Sequence, residues 1–258
     1  MRFSKTFIQS IPKPQALHVY GNAQEVLVQD KLFSFLVWNV NKYSAIDLNN
    51  ILIDMKQQPD FYFLQEVKVQ EQDPNVFIQQ LGYEWIMGKH LYFPRSKKIS
   101  GVKTGSIFST TATNIFHTTH TESISLTPKA AALCTYPIKE THLTLLTINV
   151  HFLNFVSLTT FAKELNKLAL LFSTHQGPLI LTGDFNTWSK ARKNCLLDMI
   201  TSNGLLEAKL SSPYLHRYTG KQLSFLFTRN IHIQRTKILR TITYSDHFPL
   251  WGEATITL

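Results

Sequence analysis

The stretch PLILTGDFNTW, residues 178–188, runs from an apolar segment directly into a carboxylate and a carboxamide. Leu179–Leu181 predict a buried strand, yet Asp184 and Asn186 follow it at once. An ionised carboxylate is costly in a low-dielectric interior unless positive charge compensates it. Asp184 therefore needs a compensating partner.

Other apolar segments are also bounded by polar residues. Trp38-Asn39 ends one, Gln65-Glu66 ends a second, Ile148-Asn149-Val150-His151 ends a third, and Ser245-Asp246-His247 precedes the last. In α/β sheets the carboxyl ends of the strands form ligand sites, because loops converge there while the strands stay rigid. These polar ends together predict one shared cluster.

The alternation of segments along the 258 residues predicts a single α/β domain, with an N-terminal arm or edge element over 1–30. The apolar stripe of Phe161, Leu165, Leu168 and Phe172 marks the clearest helix. Predicted strands cover 32–39, 61–66, 102–108, 131–138, 143–150, 178–183, 223–229, 236–243 and 251–258, and predicted helices cover 44–58, 74–81, 157–173 and 189–203.

Composition narrows the class of protein. Hydrophobic residues make up 44% and charged residues 17%, which excludes a wholly disordered chain. The net charge of +9 favours polyanionic partners such as nucleic acid, phosphorylated metabolites or anionic lipid, although charge alone is equally compatible with a merely basic soluble protein.

The cysteines and the search for targeting signals indicate in which cellular compartment the protein is found. Cys134 and Cys195 lie far apart in apolar surroundings, which favours two buried free thiols over a disulfide or a cysteine metal site. We find no secretory signal and no apolar run of roughly 20 residues that would span a bilayer. These features predict a cytoplasmic protein.

Three of the residues at segment ends suit a hard cation. Asn39, Glu66 and Asp246 offer oxygen ligands only, which Mg²⁺ and Mn²⁺ prefer. A divalent ion would provide the positive charge that buried carboxylates need, and it stabilises charge that develops on a phosphoryl group.

The remaining polar ends suit the chemistry of a phosphate ester. Asp184 beside Asn186 is placed to orient and deprotonate an attacking water. His151 and His247 can donate to phosphate oxygens or act as acid or base. Phosphodiester hydrolysis requires a metal, a positioned water and cationic donors around the phosphate, so the whole set predicts that reaction.

The blocks WNVN, LQEVK, NVHFLN, GDFN and SDH, in this order, resemble the endonuclease/exonuclease/phosphatase superfamily. That superfamily includes pancreatic deoxyribonuclease, abasic-site endonucleases, neutral sphingomyelinases and inositol-phosphate 5-phosphatases. The similarity runs from about residue 33 to the C-terminus, and NVHFLNF and GDFNTWSKAR are most similar to a poorly characterised bacterial branch. The resemblance implies a two-sheet, four-layer α/β sandwich with helices on the outer faces.

The resemblance also implies a role for each matched residue. It assigns Asn39 and Glu66 to the metal with Glu66 as principal ligand, His151 and Asn154 to phosphate contact, Asp184 and Asn186 to positioning of the water, Asp246 to the metal, and His247 to phosphate contact.

One block departs from the family pattern. The strand two blocks before SDH usually reads Leu-Asp-Tyr or Leu-Asp-Phe in the family, and its Asp orients the SDH histidine. Here the strand reads Leu223-Ser224-Phe225. A serine cannot hold an imidazolium as a carboxylate does, so we expect His247 to be less basic and less fixed. Either activity is weakened or another residue has taken over the orienting role.

Basic residues interleaved with aromatics occur between Trp85 and Lys103. This mixture is typical of a nucleic-acid-binding surface, and it is equally typical of a membrane-surface loop or a solvated turn. The clusters Arg229–Arg240 and Arg192-Lys193 are interpreted as solvated faces.

The sequence predicts a Mg²⁺-dependent or Mn²⁺-dependent phosphodiester hydrolase, an endo- or exonuclease that acts as a monomer on nucleic acid. The alternative is a phosphodiesterase or phosphatase for a phospholipid or a phosphorylated small molecule. A third hypothesis, motivated by Ser224, is a catalytically weakened binding member of the superfamily.

Overall fold

The computed structural model describes residues 8–41, 58–72, 82–123 and 126–257. The helix predicted over 74–81, and all of the one predicted over 44–58 except Gln58, lie outside these residues. The elements of the described residues are β1 (Gln9–Ser10), α1 (Lys13–Ala16), β2 (Leu17–Gly21), β3 (Phe33–Asn39), β4 (Phe61–Gln70), β5 (Glu84–Phe93), β6 (Lys98–Ser106), β7 (Ala112–His117), β8 (Ala130–Pro137), β9 (Thr144–His151), α2 (Leu158–Leu170), β10 (Leu179–Asp184), α3 (Lys190–Ser202), β11 (Leu206–Glu207), β12 (Ser224–Arg229), β13 (Ile231–Ile238) and β14 (Leu250–Ile256).

The strands form two sheets. The first has the order β1-β5-β6-β4-β3-β14-β13, with β2 also paired to β5, and the second has the order β11-β12-β10-β9-β8-β7. Each sheet has one parallel pair near its centre, β3 with β4 in the first and β9 with β10 in the second. The two-sheet α/β fold expected from the sequence is confirmed.

The sheets pack face to face through the residues that alternate along each strand, because successive side chains of a strand point to opposite faces. Phe35 and Val37 of the first sheet share a buried cluster with Ile180 and Leu226 of the second. Leu36, which lies between the two first-sheet residues, belongs to a separate cluster on the outer face of that sheet.

Helices α2 and α3 cover the outer face of the second sheet. Leu165 and Leu168 of α2 pack in one buried cluster with Ile148 and Leu181 of the strands beneath. Ser157 caps α2, since its hydroxyl accepts from the amide of Thr160 at 3.1 Å. None of the helices in the described part of the chain is both long and apolar enough to cross a membrane.

The segment between Trp85 and Lys103 is a hairpin of the first sheet, formed by β5 and β6. Trp85, His90 and Lys103 are buried, and the Lys103 ammonium lies 4.9 Å from the ring centroids of both Tyr20 and Trp85. Trp85, His90 and Lys103 are therefore not available to a ligand, whereas Arg95 and Lys97 in the turn are exposed and nucleic-acid contact there stays a prediction. The polar and glycine-rich strand residues of this segment hid the strand pattern.

Within the predicted N-terminal element, β1 and β2 pair with β5 at the border of the first sheet, and residues 1–7 lie outside the described residues. Two further expectations need correction. The strand predicted over 236–243 begins earlier, at Ile231. Arg192 and Arg229 are not on solvated faces: Arg192 is buried, and Arg229 is partly buried with its guanidinium donating to the carbonyls of Gly177 and Asn203.

Candidate active site

The parallel strand pairs bring polar residues from both sheets together. Asn39 ends β3 and Glu66 lies in the adjacent β4, while His151 ends β9 directly beside Asp184 at the end of β10. Because the strands of each pair are parallel, their carboxyl ends meet at the same edge of the sheet. The edges of the two sheets lie next to each other, since Asn39 of the first sheet contacts Asp184 of the second.

A β-bulge aims Glu66 at this site. The pairing of β4 with β6 shifts register between Leu64 and Val67, and Glu66 in between has φ 55°. A non-glycine residue in this left-handed region is strained, and bulges of this kind redirect side chains next to active sites. The bulge brings Glu66 Oε1 to 3.2 Å from Asn39 Nδ2.

Asn39 links the carboxylates of the two sheets. Its Nδ2 group donates to Glu66 Oε1 and, at 2.9 Å, to Asp184 Oδ2. Its Oδ1 accepts from the amide of Asn41 at 2.9 Å, which fixes the plane of the carboxamide. The two acids are therefore held close enough to act on one ligand.

Two histidines complete the cluster. His151 Nε2 lies 3.6 Å from Glu66 Oε1 and 4.0 Å from Asp184 Oδ2. His247 Nε2 lies 3.7 Å from the same Asp184 oxygen. The polar ends predicted to share one site thus converge on Asp184.

These neighbours compensate the negative charge of the Asp184 carboxylate only in part. Burial raises the pKa of its carboxyl, and the charge of Glu66 raises it further, while His247, the Asn186 amide and Asn39 oppose the shift. The carboxylate is 2% exposed. Its environment therefore favours an additional cation or a proton.

Asn186 supports Asp184 through its backbone. Its amide donates to Asp184 Oδ1 at 2.9 Å, and its φ of 53° permits this tight turn. Its side chain is engaged elsewhere, because Nδ2 donates to the carbonyl of Phe152 and Oδ1 accepts from Trp188 Nε1, both at 2.9 Å. The side chain of Asn186 is thus hydrogen-bonded to Phe152 and Trp188, and its backbone amide holds Asp184.

His247 is held in place although Ser224 replaces the expected carboxylate. Ser224 Oγ lies 3.1 Å from His247 Nδ1. The His247 amide donates to Ser245 Oγ at 3.1 Å, and its carbonyl accepts from Trp38 Nε1 at 2.8 Å. The serine and the backbone contacts fix the ring position, so the expected looseness of His247 is not seen.

Asp246 lies beside this cluster with a partner that the sequence did not reveal. Its Oδ2 lies 3.3 Å from His216 Nε2, and His216 Nδ1 lies 3.0 Å from Thr219 Oγ1. The His216 and His247 rings meet edge to face at 5.0 Å. His216 belongs to the irregular segment between β11 and β12, where no strand end marks it as a site residue.

Lys129 and Glu122 are also site residues that sequence reasoning missed. Lys129 Nζ lies 3.3 Å from His151 Nε2 and 3.4 Å from Glu122 Oε1. Glu122 Oε1 accepts from the amide of Asn154 at 2.7 Å, which ties the predicted phosphate-contacting residue to the rim of the site. Lys129 is recognised as a site residue by its contact with His151, and this contact is visible only in the structure.

Comparison with known proteins identifies the family to which this chain belongs. The model of the Endonuclease/Exonuclease/phosphatase family matches residues 36–252. The chain belongs to this family. Its members are phosphoester hydrolases, and all the polar residues of the cluster, from Asn39 to His247, lie within the matched range.

The curated relatives are bacterial UPF0294 proteins, in agreement with the poorly characterised bacterial branch expected from the sequence. One from Vibrio vulnificus is 27% identical over 239 residues, 92% of this chain and 82% of the relative. One from Yersinia enterocolitica is 36% identical over 126 residues, 48% of each chain. The alignments with the Yersinia and Klebsiella pneumoniae relatives span about half the length of those proteins.

Solved structures share the fold at low identity. An endonuclease/exonuclease/phosphatase from Bacteroides vulgatus has a TM-score of 0.64 and 15% identity, covering 88% of this chain and 100% of that one. The human Nocturnin catalytic domain with bound sulfate anion has a TM-score of 0.64 and 17% identity, covering 90% and 96%. These likenesses support the family fold and do not specify a substrate.

Proposed function

We propose that the protein is a divalent-metal-dependent phosphodiester hydrolase that acts as a nuclease. The observation that carries this proposal is the convergence of Asn39, Glu66, His151, Asp184 and His247 at the facing edges of the two sheets. Membership of a family of phosphoester hydrolases supports the same reaction class.

The donor set fits a hard divalent cation. Glu66 and Asp184 both accept from one Asn39 amide, and the charge of Glu66 raises the pKa of Asp184. Glu66 would hold Mg²⁺ or Mn²⁺ through oxygen, the ligand atom these ions prefer, and Asp246 is a further candidate ligand. Asn39 turns its Nδ2 group to Glu66 and its oxygen to the Asn41 amide, so it would join the ligands only if its carboxamide turned over. The ion would act as a Lewis acid on a phosphate oxygen.

The residues of the chain supply the rest of the reaction. Asp184, oriented by the Asn186 amide and Asn39, accepts a proton from the attacking water. His247 and His151 donate to the non-bridging phosphate oxygens, on which negative charge grows as the water attacks. The water forms the new P–O bond, and the leaving oxygen departs with the electron pair of the broken bond. Solvent water protonates the leaving oxygen, and Asp184 returns its proton to solvent.

Lys129 adds a fixed positive charge beside His151. Its pairing with Glu122 keeps the ammonium at the site, and its position 3.3 Å from His151 Nε2 directs positive charge toward the phosphate contact. In the proposed mechanism Lys129 therefore stabilises the same developing charge as the two histidines.

Nucleic acid is the proposed substrate because the net charge of +9 favours a polyanion. The runner-up keeps the chemistry and changes the substrate to a phospholipid or a phosphorylated small molecule. The proposed enzyme needs no partner chain, and the site described above is built within a single chain.

The test is a substrate panel with the purified protein in Mg²⁺, Mn²⁺ or EDTA. We expect plasmid DNA, single-stranded DNA or RNA to be cleaved with either ion and to remain intact in EDTA and with Glu66→Gln. Cleavage of sphingomyelin or inositol phosphates alone would establish the runner-up. No hydrolysis of any of these substrates by a folded wild-type protein would contradict the proposal.

A further inference from the structure

An open cavity lies beside the proposed catalytic cluster, and the proposed mechanism does not use it. Its volume is about 380 Å³, and it is lined by Asn154, Phe155, Trp188 and Arg192. Trp188 Nε1 donates to Asn186 Oδ1 at 2.9 Å, and Arg192 Nη1 donates to the Asn186 carbonyl at 3.1 Å. The cavity is therefore built on the same loop that positions Asp184.

Phe155 is displayed at this cavity by a strained backbone. Its side chain is 55% exposed, and its φ of 40° lies in the left-handed region that a bulky residue rarely adopts. Asn154 Oδ1 accepts from the Phe155 amide at 2.9 Å, and Ser123 Oγ donates to the Phe155 carbonyl at 2.8 Å. Strain that the surroundings enforce in this way is a feature of ligand sites.

Trp188 is fixed at the same cavity with positive charge nearby. Its ring meets His216 at 5.4 Å, and Lys221 Nζ lies 5.9 Å from the indole while donating to the Trp188 carbonyl at 2.8 Å. An immobilised indole next to an ammonium provides a stacking surface and an electrostatic contact for a phosphate backbone.

These features favour a nucleobase as the occupant. Aromatic side chains stack on bases, and the Lys221 ammonium beside Trp188 complements the phosphates of a nucleic-acid backbone. An acyl chain would use the rings but not the ammonium. The contact of Trp188 with Asn186 places the occupant next to the reacting phosphate.

We infer that Phe155 and Trp188 form a subsite for a base of single-stranded nucleic acid that adjoins the phosphate to be cleaved. This inference rests on the proposed function, because it assigns the substrate class of the same site. Neither residue takes part in the chemistry, so both act on substrate binding and register.

The experiment measures binding in EDTA, where no hydrolysis is needed. Fluorescein-labelled oligothymidylate is compared by fluorescence anisotropy with an oligomer of equal length that carries tetrahydrofuran in place of every base. We expect Trp188→Ala and Phe155→Ala to weaken oligothymidylate binding by roughly 5- to 100-fold, the range of one lost stacking contact, and to leave binding of the base-free oligomer unchanged.

Two control variants separate stacking from structure. Trp188→Phe keeps a ring but loses the bond to Asn186, and we expect it to retain most of the oligothymidylate affinity. Trp251→Ala removes another partly exposed indole, on β14, and we expect no change with either oligomer. Thermal unfolding of each variant establishes that it is folded.

Several outcomes would overturn the subsite. Equal losses for the two oligomers would assign the effect to the backbone or to the fold, and no loss would remove the subsite altogether. Binding of sphingomyelin–phosphatidylglycerol vesicles that depends on Trp188, without such dependence for oligothymidylate, would assign the cavity to lipid. Trp188-dependent binding without any cleavage in Mg²⁺ would contradict the proposed function and leave the subsite standing.

Discussion

Two buried carboxylates with histidine neighbours, Glu164 of α2 and Asp184 of β10, differ in how their charge is compensated. Glu164 lies 2.8 Å from Lys167 Nζ and 2.6 Å from His120 Nδ1, and accepts from the Thr119 amide at 3.0 Å. Burial opposes ionisation of Glu164, but these hydrogen bonds outweigh it and lower its pKa to about 2. Burial instead raises the pKa of Asp184, whose amide and imidazole contacts do not outweigh it.

The difference separates an acid whose charge is satisfied within the fold from the acid that we propose to be reactive. Glu164 has an ammonium of its own helix beside it, so its charge is satisfied in the folded chain and ties the 118–123 segment to α2. Asp184 has donors that orient it but do not neutralise it. A carboxylate that is precisely oriented and poorly neutralised is what a general base or a cation site requires.

The largest expected effect comes from neutralising Asp184. Asp184→Asn should lower phosphodiester hydrolysis by about 10²- to 10⁴-fold, the usual contribution of a positioned general base. The same variant should keep its free energy of unfolding within about 1 kcal/mol of wild type, because it removes a charge that burial disfavours. Initial rates with a cleavable oligonucleotide and urea unfolding check the two effects.

This variant also tests the hypothesis of a catalytically weakened binding member. If wild type and Asp184→Asn bind and process every substrate alike, the protein is a binding module and Asp184 is not its base. A matched control is Glu164→Gln, which removes the other buried carboxylate and should leave kcat within about twofold, since it lies outside the cluster.

Cation binding should stabilise one acid site and not the other. At a Mg²⁺ concentration of about 100 Kd, a site that exists only in the folded protein gains about 2.7 kcal/mol. We expect Mg²⁺ to raise the Tm of wild type and of Glu164→Gln, and to leave the Tm of Glu66→Gln unchanged. An equal shift in all three proteins would place the ion outside the Glu66 site.

Glu164→Gln should have a smaller effect than Asp184→Asn and on the other property, because it should change stability rather than the rate of hydrolysis. We expect it to lower the free energy of unfolding at neutral pH by about 1–3 kcal/mol, because the hydrogen bonds of a buried carboxylate are weakened. The folded pKa of about 2 lies below the ordinary value of 4.5, so this stability is present above pH 4.5 and is lost as the pH falls toward 2.

Urea unfolding across that pH window tests the sign. Wild type should lose stability between pH 4.5 and 2, and Glu164→Gln should lose less over the same interval because its position 164 no longer titrates. Parallel curves for the two proteins would show that Glu164 is not stabilised in its ionised form.

Sequence patterns predicted the reactive acid better than the structural one. Asp184 follows three aliphatic residues, and this mismatch between composition and burial marked it as a site residue. Glu164 occupies a helix position whose partners Thr119 and His120 lie more than 40 residues away, and no local pattern predicts that contact. Charge compensation across elements depends on packing, which a single sequence does not show.

The same limit explains the other differences. The parallel strands and α2 were predictable because apolar runs and a helical stripe are strong local signals. Strand β5 was missed, and β6 was predicted only from residue 102, because the hairpin carries lysine, threonine and glycine in buried positions. Lys129 and His216 were missed because each acts through a contact with a distant residue, His151 for one and Asp246 for the other.

The smallest expected effect comes from Ser224→Asp, a substitution that makes the surroundings of Asp184 more like those of Glu164. Ser224 lies 3.1 Å from His247 Nδ1 and directly opposite Asp184 in the β10–β12 pairing. In Ser224→Asp a carboxylate would favour the protonated ring of His247, so we expect hydrolysis to rise by about tenfold, equal to about 1.4 kcal/mol. A new charge opposite Asp184 should also cost up to about 1 kcal/mol of stability. Ser224→Ala, which removes the hydroxyl contact, is the matched variant and should lower the rate. An unchanged pH–rate profile in Ser224→Asp would show that His247 does not act in its charged form, and its contact with Asp184 would then serve only to position that acid.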